Sequence, residues 1–178
     1  MEKRHLTRLA PEFYRGHAFV HWTLTIEARA TGWLSSTFHS NWKLLLLHAS
    51  TRYRLISPTY VLMPDHVHLL WLGLADEKSD QGVAVEFLRK HLRCHLAPAD
   101  WQRQPFDHVL TGREREHGAF LTVAGYILDN PVRAGLIAER SAWPYSGCCV
   151  PGYPDLNPHK AEYWELFWRI YNRLIEGR

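Results

Sequence analysis

Long apolar runs are absent from this chain; clusters such as Leu44-Leu45-Leu46-Leu47 fall far short of the ~20 residues that a membrane-spanning helix needs. The charged start (Glu2, Lys3, Arg4) is followed by no apolar stretch, so no secretory signal is expected. Cysteine is scarce: Cys94, Cys148 and Cys149 offer neither a disulfide framework nor a CxxC zinc pattern, which points to a reducing, cytoplasmic setting. Charge of one sign is also lacking. A net charge of +3 permits an anionic partner without demanding one. No internal repeat and no second hydrophobic block is visible, so residues 1–178 are read as a single domain, with a core over about 14–146 and a helical extension over about 147–178. Aromatic residues, by contrast, are plentiful. Eight Trp, eight Tyr and seven Phe suit a dense core, and the same residue types stack on single-stranded bases.

Residue patterning predicts the elements. Phe19 to Ile26 is β-branched and aromatic and reads as a strand. Ser35 or Ser36 caps a helix to about Ser50, with Phe38, Trp42, Leu45, Leu46 and Ala49 at core spacing. Arg54 to Met63 is a second strand, in which Pro58 calls for an edge position or a bulge. Pro64-Asp65 turns the chain, and His66 to Leu72 returns as a third strand. Gly73 to Gly82 reads as a loop. A helix follows from Ala84 to Leu96, with Ala84, Phe87, Leu88, His91, Leu92 and Leu96 as its apolar stripe. Trp101 to Leu110 supplies a last strand, Glu114 to Asn130 a helix stopped by Pro131, Trp143 to Pro158 a connector, and Ala161 to Ile175 a final aromatic helix. The order β-α-β-β-α-β predicts an α+β fold of ferredoxin-like type, an antiparallel sheet with helices on one face.

Two short segments carry the chemistry. In Met63-Pro64-Asp65-His66-Val67-His68, strand alternation puts both imidazoles on one face and Val67 on the other. Taken blind, an HxH is most often a solvated strand face, but the apolar residues around this one make both strands look buried. Paired imidazoles in a buried sheet want a partner, and a metal ion is one. In Tyr126-Ile127-Leu128-Asp129-Asn130-Pro131-Val132-Arg133-Ala134-Gly135, a phenol and an amide stand at i and i+4, side by side on a helix. The apolar stripe of that helix is Phe120, Ala124, Ile127 and Leu128, and Tyr126 lies outside it. Asn130 suits a helix end, a metal, or both at once.

With Val61 to His68, Phe106 to Leu110, Tyr126 to Leu136 and Trp143-Pro144-Tyr145-Ser146 in this order, the chain resembles the HUH single-tyrosine transposases of bacteria, and within them the REP-associated branch. His108 is a departure, standing where relatives tend to carry an arginine or another polar residue. The resemblance implies a ferredoxin-like core with the HxH strand central and the tyrosine helix added after it. It also implies His66, His68 and Asn130 as ligands of Mg²⁺ or Mn²⁺ and Tyr126 as a nucleophile that forms a 5′-phosphotyrosine link. The implied partner is single-stranded DNA folded into REP-type hairpins, met in the bacterial cytoplasm at the nucleoid. A homodimer is compatible with one tyrosine per chain, and a monomer remains open.

Arg133, Arg113 and Arg115 are candidates for phosphate contact, being near the tyrosine in sequence. Arg89, Lys90 and Arg93 form either a solvated helix face or a further DNA contact. Two rival functions stay open on residues alone: a non-catalytic hairpin-binding protein of transposase descent, and a metal-dependent phosphodiesterase that uses water.

Overall fold

The computed structural model describes residues 9–75 and 78–177. Its centre is a five-stranded antiparallel sheet built from β1 (Phe19–Thr25), β2 (Leu55–Leu62), β3 (His66–Gly73), β4 (Phe106–Val109) and β5 (Ser146–Cys149), in the order β4-β1-β3-β2-β5. Between them run α1 (Ser36–Arg52) after β1 and α2 (Gln81–Leu96) after β3. The chain therefore passes β-α-β-β-α-β before it leaves β4. After β4 come α3 (Gly112–Arg115), α4 (His117–Leu128), α5 (Asn130–Arg133), then β5 and α6 (Tyr163–Ile175).

Helices cover both faces of the sheet, not one as the strand and helix order suggests. On one face α1 and α2 pack Phe38, Trp42, Leu46, Leu88 and Leu92 against Val20, Trp22, Leu69 and Trp71. On the other, α4 and α6 pack Phe120, Ala124, Ile127 and Phe167 against Phe19, Val61, Leu70 and Leu72. A sheet apolar on both sides must be covered twice, and the aromatic C-terminal helix supplies the second cover. Its Trp168 and Tyr171 meet Phe19 and Phe120 in edge-on and stacked pairs.

Local signals account for most boundaries. Ser35 Oγ accepts from Phe38 N at the start of α1, and Asp80 Oδ1 accepts from Val83 N at the start of α2. Pro58 lies at a bulge and not at an edge, because β2 is flanked by β3 and β5. The register of β2 shifts between Ile56 and Thr59, so the strand changes parity: Leu55 faces the α1/α2 core, as do Tyr60 and Leu62 beyond the shift. Tyr163 Oη on α6 donates to the Pro58 carbonyl at 2.5 Å, so the final helix ties down this irregularity. At the end of β3, a side chain on Gly73 would run into the Gly16 carbonyl, and only glycine fits there.

Several expected boundaries move. The stretch read as a connector contains β5, which extends the sheet beyond β2. Four residues with two cysteines and a glycine carry too weak an alternation to announce a strand. The helix expected from Glu114 is broken at Glu116, whose extended backbone (φ −60°, ψ 142°) separates α3 from α4. Thr111 and Glu114 form a reciprocal capping box that makes the short α3 a unit of its own. On α2, His91 is exposed and leans on Phe87, while Val85 takes the buried position. The loop expected over Gly73 to Gly82 has Gly73 in β3 and Gln81–Gly82 in α2; Asp76 and Glu77 lie outside the described residues.

Candidate functional site

β3 is the middle strand, and its alternation sends Val67, Leu69 and Trp71 into the α1/α2 core. His66 and His68 therefore sit on the opposite face, the one that α4 covers. The two rings approach each other edge to face, with Nε2 to Nε2 at 3.0 Å. Each ring is held from behind. His66 Nδ1 donates to Asp65 Oδ1 at 2.6 Å, a bond of fixed direction because a carboxylate can only accept. Asp65 in turn accepts from Arg29 Nη1 at 2.7 Å. Against the cost of burial, these bonds from Arg29 and His66 hold the Asp65 carboxyl below its ordinary range. His68 Nδ1 lies 3.0 Å from His21 Nε2 and 3.3 Å from Thr23 Oγ1, both on β1.

Asn130 closes the cluster. Residue 131 is proline and has no N–H, so the Ile127 carbonyl loses its normal helical donor. Asn130 Nδ2 replaces it, donating to Ile127 O at 3.2 Å and to Tyr126 O at 2.9 Å. With the amide nitrogen turned to the helix end, the amide oxygen is the end left to face His68, and Asn130 pulls the pKa of that ring upward against the effect of burial. The helix-end role of Asn130 thus leaves its amide oxygen free to face the imidazoles. Tyr126 is 46% exposed, whereas Phe120, Ala124, Ile127 and Leu128 are buried, so the tyrosine is not a core residue. The Arg133 guanidinium lies over its ring, 4.5 Å from the centroid.

Burial keeps the His68 and His21 imidazoles neutral. It pushes the His68 pKa down to about 3 and the His21 pKa to about 4, with neighbouring histidines adding to the effect. Below about pH 6.5 the unfolded chain takes up protons at these positions while the folded chain does not, so stability falls as the pH drops, through both groups to about 4 and through His68 alone to about 3, and then levels off. In EDTA, the thermal midpoint is expected to decrease between pH 7.5 and pH 4.5, by about 2–4 °C for each kcal/mol lost. A His21→Phe/His68→Asn double variant should show a flatter profile. An unchanged slope in that variant would place the acid sensitivity elsewhere.

The donor set fits a hard or borderline cation. Ligands about 2.1 Å from an octahedral ion leave neighbouring donors about 3.0 Å apart, which is the separation of the His66 and His68 Nε2 atoms. Among the described residues no group of three or more His, Cys, Asp or Glu could hold a metal ion, so a third protein donor must be of another type. The Asn130 amide oxygen is of that type.

The basic candidates scatter. Arg133 is at the site. Arg113 and Arg115 are on α3, where Arg115 donates to the Leu110 and His17 carbonyls and covers the Phe19 ring. Arg89, Lys90 and Arg93 are on α2, in the layer on the far side of the sheet from α4. They line a cavity of ≈ 330 Å³ with Arg103 and Trp101. Arg89 is no solvated arm: it donates to the Gln102 carbonyl at 2.5 Å and to Glu86, and Arg93 is paired with Asp100. Sequence reasoning missed His21, Thr23 and Arg29. Period-2 alternation places His21 and Thr23 on one face of β1, but only the sheet order reveals that this face meets His68. His108, left without a role on sequence, bonds Glu114 Oε1 at 2.9 Å and stands opposite His21.

No protein-family model matches the sequence, and no curated protein is matched. Among solved structures the chain is similar to a REP-associated tyrosine transposase bound to a REP hairpin, at 20% identity and a TM-score of 0.66, over 81% of this chain and 82% of that one. At this identity the likeness establishes the fold. Among the described residues no helix is long and apolar enough to cross a membrane.

Proposed function

We propose that the protein is a metal-dependent transposase-type nuclease that cleaves and rejoins single-stranded DNA at REP-type hairpins through Tyr126. The observation that carries the reading is the meeting of the His66–His68 pair with Asn130, one helical turn from an exposed tyrosine. The likeness to a hairpin-bound transposase supplies the class of substrate. We read the βαββαβ part of the chain as the ferredoxin-like core of that fold, extended by α4, β5 and α6.

In this reading Tyr126 Oη attacks the scissile phosphorus. An O–P bond forms to the tyrosine, the bond to the 3′ oxygen breaks, and a free 3′-hydroxyl leaves. The ester energy is kept in the phosphotyrosine, so the reverse attack by a 3′-hydroxyl rejoins the strand without ATP. His66, His68 and Asn130 hold Mg²⁺ or Mn²⁺, which when bound supplies charge stabilisation at the non-bridging phosphate oxygens. Arg133, stacked on the tyrosine ring, orients the nucleophile and faces the same phosphate. Each chain makes one cleavage, so two DNA ends call for two subunits or two successive reactions.

The test is incubation with labelled hairpin single strands and Mn²⁺, followed by denaturing electrophoresis. A covalent protein–DNA adduct is expected with the hairpin and not with paired duplex of the same sequence, at about 0.2 M salt where non-specific binding fades. Hairpin binding without an adduct would favour a non-catalytic binder, and cleavage without an adduct would favour a water-using phosphodiesterase.

The basic residues divide along the sheet. Arg133→Ala is expected to lower adduct formation about tenfold or more and to weaken hairpin binding. Arg89→Ala should leave both near wild type and instead lower the thermal midpoint, because it removes charged hydrogen bonds to the 102–103 backbone worth about 1.5–3 kcal/mol each. If Arg89→Ala loses hairpin binding at unchanged stability, the α2 layer belongs to the DNA surface.

A further inference from the structure

We infer that His21 is a positioning residue for the metal pair: its Nε2 accepts the Nδ1 proton of His68 and so leaves the His68 Nε2 lone pair facing that of His66. The inference rests on the metal-site reading above. Its basis is proton accounting. Two neutral imidazole nitrogens at 3.0 Å form a hydrogen bond only when one of them carries a hydrogen. The proton of His66 is fixed on Nδ1 by the Asp65 carboxylate. Without a cation, therefore, the bridging proton sits on His68 Nε2. A cation needs lone pairs on both Nε2 atoms, so the His68 proton must move to Nδ1.

There the proton needs an acceptor, because His68 is only 8% exposed and an unsatisfied donor in that place is costly. Two groups offer one. His21 Nε2 lies at 3.0 Å, and Thr23 Oγ1, at 3.3 Å, is beyond the usual range. His21 reaches the ring diagonally, since its backbone pairs with Leu70, two residues along β3 and on the same face as His68. The His21 ring is backed on its other side by β4, where His108 stands directly opposite and is itself bound to Glu114. The row Glu114, His108, His21, His68, His66, Asp65 thus spans three strands and both ends of it are carboxylates. Partners of this kind behind a metal-bound histidine set its tautomer and its orientation.

The experiment combines ¹⁵N-histidine NMR with Mn²⁺ binding followed by EPR, on wild type, His21→Phe, His21→Gln, Thr23→Val and His68→Ala. Saturating Mg²⁺ is expected to move the His68 ring proton of the wild type from Nε2 to Nδ1. His21→Phe is expected to weaken Mn²⁺ binding by about tenfold or more, His21→Gln to restore most of the loss by supplying an amide oxygen as acceptor, and Thr23→Val to do little. Unchanged Mn²⁺ affinity in His21→Phe, or a His68 proton that stays on Nε2 in Mg²⁺-saturated wild type, would overturn the inference. A His68→Ala variant that binds Mn²⁺ like wild type would overturn the metal site itself. If His21→Phe fails to fold, a scalar coupling across the hydrogen bond between His68 Nδ1 and His21 Nε2 in Mg²⁺-saturated wild type decides the matter, and its absence would overturn the inference.

Discussion

Replacing Tyr126 by phenylalanine is expected to abolish both cleavage and the covalent adduct while leaving hairpin affinity within about threefold of wild type. Tyr126 is half-exposed on α4, and the helix is anchored by Phe120, Ala124, Ile127 and Leu128. Surface substitutions of this kind usually change stability by less than about 0.5 kcal/mol. The ring that Arg133 covers is retained in phenylalanine, so the guanidinium keeps its seat and the phosphate contact proposed for it. Only the oxygen that would bond to phosphorus is lost. The effect on rate is thus the whole of nucleophilic catalysis, whereas the effects on fold and binding are small. Adducts that persist in Tyr126→Phe would sink the assignment, and Tyr14, Tyr145 or another phenol would have to be sought. Cleavage that persists without adducts would point to water as the nucleophile.

The contrast between what was legible in the sequence and what was not has a physical origin. The strands β1 and β3 announced themselves by β-branched, aromatic and apolar content beside turn signals, and the helix α1 and the apolar stripe of α4 by a helical period long enough to be seen. The His66–His68 pair was legible because it lies within a single strand, and the Tyr126–Asn130 pair because only Asp129 separates α4 from α5, so the helical spacing carries across the junction. What lay between elements was hidden. His21 and His68 are far apart in sequence and meet only because β1 pairs with β3 in a particular register. The second cover of the sheet was hidden too, because an amphipathic helix such as α6 does not state which face it will lie on. The role of Arg89 was misjudged through a similar limit. On a helical wheel it belongs to the polar side, yet the segment around Gln102 folds back over it and makes it a structural tie. The break between α3 and α4 is a different failure, since Thr111 and Glu114 spelled out a capping box that a longer helix reading overlooked.

Removal of the cation, or of either strand histidine, is the second large effect. EDTA is expected to stop cleavage and adduct formation, and addition of Mn²⁺ or Mg²⁺ to restore them. His66→Ala and His68→Ala should each lower the rate about 10³-fold or more, since the loss of several kcal/mol of charge stabilisation at the phosphate corresponds to that factor. The fold should survive all three treatments. Neither core depends on the pair: the α1/α2 side is packed with Trp22, Trp42 and Trp71, and the α4/α6 side with Phe19, Phe120 and Phe167. The histidine variants are expected to differ from each other in one respect. His66 is joined to Asp65 near the sheet end, and Asp65 keeps Arg29 as a partner when the imidazole is gone. His68 lies deeper, and its loss leaves His21 and the Asn130 amide oxygen without the ring they face. His68→Ala should therefore lower the thermal midpoint more than His66→Ala, although both abolish metal-dependent cleavage. Near-wild-type cleavage with Mg²⁺ in either variant would remove the strand histidines from the ligand set and with them the proposed mechanism.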